Sequence, residues 1–101
     1  MSVTYAIRFA VVPEQRQRLL GLLQDVLDAM RAEANFRDAA LHEDPEDQTR
    51  FLLVETWAEH QDVLDVQLHR PYRQAWHAAL PDLLAAPREI SVWRRLRVDR
   101  E

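Results

Sequence analysis

The chain has 101 residues, of which 48% are hydrophobic and 30% charged, a balance typical of one globular domain. Thirteen basic residues against 17 acidic ones give a formal net charge of −4 at pH 7, which argues against nucleic-acid binding. Cysteine is absent, so disulfides, thiolate nucleophiles and zinc–thiolate sites are excluded. One glycine, Gly21, cannot supply the glycine-rich loops that hold nucleotide phosphates. We therefore expect no nucleotide cofactor.

Three further absences in the sequence limit location and metal binding. No apolar run approaches the roughly 18 residues that a membrane span needs, and the N-terminus lacks a signal-peptide pattern. We expect a cytoplasmic protein with no membrane contact. The histidines show neither the His-x-x-x-His spacing nor a facial triad, so no metal site is expected.

The first half of the chain reads as a strand, a helix and a hairpin. Alternating apolar residues predict a strand over 3–11. Pro13 suits a helix start, and leucines recurring at spacings of three and four predict an amphipathic helix over 14–34. Residues 36–43 and 50–57 predict two strands, joined by a polar turn over 44–49.

The second half predicts a short helix over 58–68, a last helix that Pro71 opens and Pro87 ends, and a fourth strand over 89–98. The resulting order, β-α-β-β-α-β, is typical of the ferredoxin-like α+β fold with an antiparallel sheet. One domain over 1–101 accommodates it.

Two predicted strands are apolar on both faces. The third places Phe51 and Leu53 on one face and Leu52 and Val54 on the other. The fourth places Ile90, Val92, Leu96 and Val98 on one face and Trp93 on the other. Because one layer of helices covers only one face of a sheet, the second apolar face needs another cover. We expect a homodimer joined through the face away from the helices.

Two titratable residues in the aromatic-rich stretch 54–77 are candidates for proton transfer. Glu55 shares an apolar strand face, where burial raises the pKa of a carboxyl group towards that of a useful base. The structural alternative is an ion pair with Arg8 or Arg94. His77 lies beside the apolar stripe of the last helix, and a histidine gains or loses a proton near neutral pH. Its alternative is a half-buried histidine that bonds polar atoms.

Three ordered stretches, LHEDPEDQTRFLLVETW, LHRPYRQAW and LLAAPREI, resemble the antibiotic biosynthesis monooxygenase family. The first resembles the family's hairpin, with an acidic Asp-Pro turn and a strand that ends in Glu-x-Trp. Pro71 stands where the family has the proline that opens its last helix. The resemblance covers nearly the whole chain and implies a dimeric α/β barrel, with a ligand cleft between the sheet and the chain's own helices.

The resemblance implies a cofactor-independent monooxygenase that acts on a phenolic, quinol or polyketide-like aromatic, with molecular oxygen as its second substrate. His77 or Glu55 would be the base, and Tyr72 or an arginine would stabilise the developing oxyanion. Tyr72 is otherwise a core ring. The residues expected to form the substrate wall are Ile7, Phe9, Leu53, Trp57 and Trp76. The alternative function is a non-catalytic dimeric binding protein or an isomerase of a small signal molecule.

The chain departs from the family pattern at several positions. Haem-degrading relatives use an Asn, a Trp and a His at positions that align with Ile7, Gln67 and His77, so only the histidine is kept. We therefore expect no haem turnover. Along the last helix we expect Tyr72, Ala75, Trp76 and Ala79 to share one face. The aromatics should line the cleft, with Glu55 on its floor, His77 near its edge, and His60 and His69 outside it.

Overall fold

A computed structural model describes residues 2–101 of the chain. The strands are β1 (Val3–Ala10), β2 (Phe36–Asp44), β3 (Asp47–Trp57) and β4 (Glu89–Trp93), and the helices are α1 (Arg16–Met30), α2 (His60–Asp65) and α3 (Gln74–Leu83). All neighbouring strands are antiparallel, and their order across the sheet is β2-β3-β1-β4. The ferredoxin-like α+β fold predicted from the order of elements is confirmed.

The hairpin between β2 and β3 is tighter than the sequence predicts. Asp44 Oδ1 accepts a hydrogen bond from the backbone N–H of Glu46 at 2.9 Å, which closes a two-residue turn. Asp47 Oδ1 accepts from the N–H of Thr49 at 3.0 Å. Local bonds of this kind are what Asp favours in turns. Residues 47–49, predicted as turn, therefore belong to β3.

Two other predicted elements are shorter in the structure. α1 ends at Met30 rather than at residue 34 because the N–H groups of Ala32 and Glu33 bond to carbonyls three residues back, which tightens the last turn. The predicted helix over 58–68 is α2 followed by a separate 3₁₀ turn, Gln67–His69.

β4 ends at Trp93, not at residue 98, because its last pair is with Thr4 near the start of β1. The chain then turns across the sheet. Arg95 donates two hydrogen bonds to the Asp38 carboxylate on β2, at 2.6 and 2.8 Å, and Arg100 adds one at 3.2 Å. These contacts hold the pKa of Asp38 below its usual value. We call residues 94–101 the C-terminal strap.

The two faces of the sheet differ in what covers them. On the helix side, inward residues of β1 and β3 pack against α1 and α3. The buried side chains of this core include Ile7, Phe9, Phe51, Leu53, Leu19, Leu23, Val26, Trp76 and Leu83. On the helix-free face, the hydroxyls of Thr4 and Thr56 bond at 2.8 Å, and Leu52 and Val54 are partly exposed. None of the helices within 2–101 has the length and hydropathy required to cross a membrane.

Candidate active site

A cavity of about 270 Å³ lies between the helix side of the sheet and the helices. Four of the five predicted wall residues line it, namely Ile7, Phe9, Leu53 and Trp76. α1 adds Leu23, Val26 and Met30, α2 and the turn after it add Val63, Leu64 and Leu68, and β4 adds Ile90. A mostly apolar cavity with a few polar groups is typical of small-molecule sites. Here the polar groups are Tyr5, Glu55, Arg73, His77 and Arg88.

Glu55 is an inward residue of β3 and is only 6% exposed. The indole Nε1 of Trp57 donates a hydrogen bond to Glu55 Oε1 at 3.2 Å. Burial raises the pKa of the Glu55 carboxyl, and the Trp57 bond and the positive charges of Arg73 and Arg88 oppose part of that rise. The carboxyl group can therefore hold a proton at a higher pH than an exposed glutamate does.

The arginine partners predicted for Glu55 are wrong. Arg8 pairs in register with Leu52, so its side chain lies on the helix-free face, and Arg94 is exposed beyond the end of β4. The arginines that act on Glu55 are Arg73 and Arg88. They come from the start of the last helical segment and from the loop before β4, whereas the predicted partners were expected on neighbouring strands.

His77 lies on α3 directly after the buried Trp76 and is half-buried at the same cavity. Burial lowers the pKa of its imidazole, and the nearby charges of Arg88 and Arg73 lower it further. The ring is therefore neutral at pH 7 and has a nitrogen free to accept a proton. Glu55 and His77 line one cavity, which is the placement that the paired acid–base hypothesis requires.

Arg73 is a cavity residue that the sequence interpretation missed. It is 7% exposed, and its guanidinium carbon lies 5.9 Å from the centre of the Trp57 ring and 5.6 Å from that of the Tyr72 ring. Both Nε and Nη2 are buried without a hydrogen-bond partner among the described residues. The signal was the spacing of Arg73, Trp76 and His77 at three and four, which a search for apolar stripes overlooks.

The predicted positions of Trp57, Tyr72 and Ala75 are wrong. Trp57 is fully buried beneath the cavity and packs edge to face against Phe36, with ring centres 5.6 Å apart, so its ring is not part of the wall. Tyr72 is absent from the cavity lining, and Ala75 is exposed. The reason is that residues 71–73 form a 3₁₀ turn, which brings Arg73 instead of Tyr72 to the sheet.

The Tyr72 hydroxyl lies in a polar network behind the cavity, 3.4 Å from Glu33 Oε1 and 3.4 Å from Gln67 Oε1. Gln67 is 2% exposed, and its amide donates to Glu33 at 3.2 Å and to Asp62 at 3.1 Å. Arg70 pairs with Glu33 at 3.0 Å. This network ties the end of α1 to the segment between α2 and α3, and it places Gln67 away from the cavity lining.

Tyr5 is a second polar residue that the sequence interpretation missed. It points inward from β1, and its hydroxyl lies 2.7 Å from His60 Nδ1 at the start of α2. Burial raises the pKa of the Tyr5 phenol, and the nearby Glu55 raises it further. His60 and the exposed His69 are not among the cavity-lining residues, as predicted. Within 2–101, no group of three or more His, Cys, Asp or Glu is placed to hold a metal ion.

Comparison with known proteins identifies similar chains. An uncharacterized protein of Synechocystis sp. is 27% identical over 92 residues, 91% of this chain, and the chain spans 62% of that protein's length. The Pestalotiopsis microspora protein named "Putative monooxygenase GME11364" is 29% identical over 96 residues, covering 94% of this chain and 80% of that protein.

Solved structures share the fold. Rv0793 of Mycobacterium tuberculosis has a TM-score of 0.86 at 26% identity, covering 97% of this chain and 98% of that one. SnoaB, a cofactor-independent oxygenase from Streptomyces nogalater, has a TM-score of 0.82 at 17% identity, covering 99% of this chain and 98% of that one. The sequence profile of antibiotic biosynthesis monooxygenases matches residues 2–79. The chain belongs to the antibiotic biosynthesis monooxygenase family.

Proposed function

We propose that the chain is a cofactor-independent monooxygenase that oxidises a phenolic, quinol or polyketide-like aromatic. The observation that carries this proposal is a mostly apolar cavity in which a buried carboxyl group and a neutral imidazole, those of Glu55 and His77, both face the ligand space. Family membership and the name of the Pestalotiopsis relative support the reaction class.

The substrate supplies the electrons in this chemistry. Removal of a proton from a phenol gives a phenolate, whose ring carbon donates electrons to oxygen and forms a carbon–oxygen bond. The peroxide then loses water and leaves a carbonyl group. A phenol and one oxygen molecule thus become one quinone and one water, with all atoms and electrons balanced. The protein has to take a proton, exclude water and hold oxygen beside the ring carbon.

Three of the five polar cavity residues have a role in that sequence. His77 accepts the phenolic proton, because its neutral ring is a base at pH 7. Glu55, whose carboxyl group keeps a proton to a higher pH than usual, donates to the leaving peroxide oxygen. Arg88 lies at the same cavity and stabilises the phenolate oxygen. Phe9, Leu53 and Trp76 form the apolar wall against the aromatic ring.

Oxygen uptake tests the proposal directly. The purified chain is given a panel of hydroquinones and naphthohydroquinones, with uptake measured by electrode and quinone by absorbance. We expect one oxygen consumed per hydroxyquinone formed, after subtraction of the spontaneous rate, with one atom of ¹⁸O₂ in the product and no hydrogen peroxide released. Simple oxidation to the unsubstituted quinone would instead release hydrogen peroxide and insert no oxygen. His77→Ala should lower kcat/KM by roughly 10²–10⁴-fold, the usual loss of a positioned general base. His69→Ala, on an exposed residue outside the cavity, is the control. Quinol binding without oxygen uptake would identify the alternative, a binding protein.

We also propose that the chain forms a homodimer through the helix-free face. Leu52 and Val54 are partly exposed there, and Trp93, on the same face of β4, is 61% exposed. Apolar side chains on an uncovered sheet face favour association.

A further inference from the structure

We infer that Arg73 is the receptor for a carboxylate group carried by the aromatic ligand. The aromatic part of this inference rests on the proposed function, whereas the anionic part rests on Arg73 itself. The substrate class that follows is an aromatic acid, for example a hydroxylated benzoate or naphthoate, rather than a neutral phenol.

The first argument is the unused hydrogen-bonding capacity of Arg73. The side chain is 7% exposed, and two of its guanidinium nitrogens are buried with no partner among the described residues. Buried donors of a charged group are almost always satisfied in proteins, because leaving them unpaired is costly. Glu55 acts on Arg73 only through its charge, since its recorded hydrogen bond is to Trp57. The positive charge of Arg73 is therefore only partly compensated inside the protein, and an anion in the adjoining cavity would compensate it.

The second argument is the orientation of the guanidinium group. The rings of Trp57 and Tyr72 both lie against it, at 5.9 and 5.6 Å. Aromatic rings hold a guanidinium group through cation–π attraction. Held in this way, the guanidinium group keeps its charge beside the cavity, which Arg73 lines. A carboxylate carries a full negative charge to face it, whereas a neutral phenol does not.

The third argument is the balance of charge around the cavity. Two arginines, Arg73 and Arg88, line it, against one carboxyl group, Glu55. Positive charge in an apolar, partly enclosed space strongly favours an anion over its neutral analogue. The volume of about 270 Å³ admits a compound of one or two rings with a carboxylate.

The test compares binding of 2-naphthoate and 2-naphthamide, which match in shape and differ in charge, by calorimetry at pH 7.5. We expect the acid to bind about 10- to 100-fold more tightly, the usual gain from hydrogen bonds to a charged partner. Arg73→Met should remove that preference, and Arg73→Lys should retain only part of it. Arg18→Met, an exposed change on α1 outside the cavity, should leave the preference intact.

Equal affinity of the unmodified chain for acid and amide would overturn the inference, and so would a preference that survives in Arg73→Met. Arg88 also lines the cavity, so Arg88→Met is measured beside the Arg73 variants and should retain more of the preference than they do. If Arg73→Met fails to fold, Arg73→Lys makes the same comparison. Neither naphthalene derivative is a hydroquinone, so the binding result is independent of oxygen chemistry. Absence of oxygen uptake with 2,5-dihydroxybenzoate and hydroquinone would refute the proposed reaction and leave the receptor standing.

Discussion

The two faces of β3 carry neighbouring residues with different surroundings. On the helix side, Leu53, Glu55 and Trp57 are buried, and two of the three touch through a hydrogen bond. On the helix-free face, Leu52 and Val54 are partly exposed beside the neutral Thr4–Thr56 hydrogen bond. The helices cover only the first of these two faces, and burial beneath them raises the pKa of Glu55. Glu55 is therefore a candidate catalyst because it lies on the face of β3 that the helices cover.

The largest expected effect separates the two faces by activity. Glu55→Gln should lower kcat/KM on an aromatic substrate by roughly 10²–10⁴-fold, because the amide cannot donate a proton to the peroxide. Thr56→Val, one residue on and facing the other way, should keep activity near that of the unmodified chain. Steady-state oxygen uptake measures both. Equal losses in the two variants would remove the distinction between the faces.

The second effect concerns stability. Trp57→Ala should reduce the free energy of unfolding by about 3–5 kcal/mol, the usual cost of deleting a fully buried large ring, since Trp57 is 0% exposed. Trp93→Ala removes the same ring from the helix-free face, where it is 61% exposed in the single chain. Measured at a protein concentration low enough to keep the chain monomeric, it should cost about 0.5 kcal/mol or less. Urea unfolding followed by circular dichroism measures both. A cost for Trp93→Ala as large as that for Trp57→Ala would contradict the comparison.

The third effect is on assembly. Leu52→Asp should give monomers or aggregates, because a charge would face the apolar partner surface of the proposed dimer. Gln24→Asp, on the exposed side of α1, should leave assembly unchanged. Light scattering at micromolar concentration distinguishes these states. A well-folded monomer of the unmodified chain under those conditions would refute the homodimer.

The smallest effect is a pH dependence. The pKa of Glu55 is raised in the folded chain, so between its usual value and the raised one the folded state binds more protons than the unfolded state. Its contribution to the free energy of unfolding therefore falls as pH rises through that window. Glu55→Gln removes this term, so its stability relative to the unmodified chain should increase from pH 4 upward. His77, whose pKa is lowered, contributes with the opposite sign in both chains and cancels in the difference. A difference independent of pH would contradict the burial of Glu55.

Alternation and helical spacing were sufficient to predict the fold and the inward phase of β3. They predicted that Phe51, Leu53 and Glu55 share a face, because period-two geometry depends only on local chain direction. The placement of Ile7 and Phe9 at the cavity followed from the same rule, and that of Trp76 followed from the spacing of three and four along the last helix. The length of β4 did not, because its end depends on where its partner β1 begins.

Such patterns could not predict the two arginines of the site, Arg73 and Arg88. Arg73 faces inward because a 3₁₀ turn precedes α3 and two aromatic rings accept its guanidinium group. A pattern that scores arginine as polar assigns it to the surface. The 3₁₀ turn over 71–73 also explains why the predicted position of Tyr72 was wrong, because the turn brings the next residue, Arg73, to the sheet instead. Arg88 belongs to a loop, where no periodicity exists to predict a direction.

The contacts of Trp57 have a spectroscopic consequence. Its indole N–H donates to Glu55 Oε1 at 3.2 Å, while the Arg73 guanidinium lies over its ring at 5.9 Å. Excitation of an indole moves electron density across the ring system, so its emission wavelength responds to charges held against it. Ionisation of Glu55 and occupation of Arg73 by an anion both change that local field. Trp57 is therefore a built-in fluorophore for the charge state of the cavity. Aqueous quenchers suppress the exposed Trp93, and Trp76→Phe removes the emission of the other buried indole.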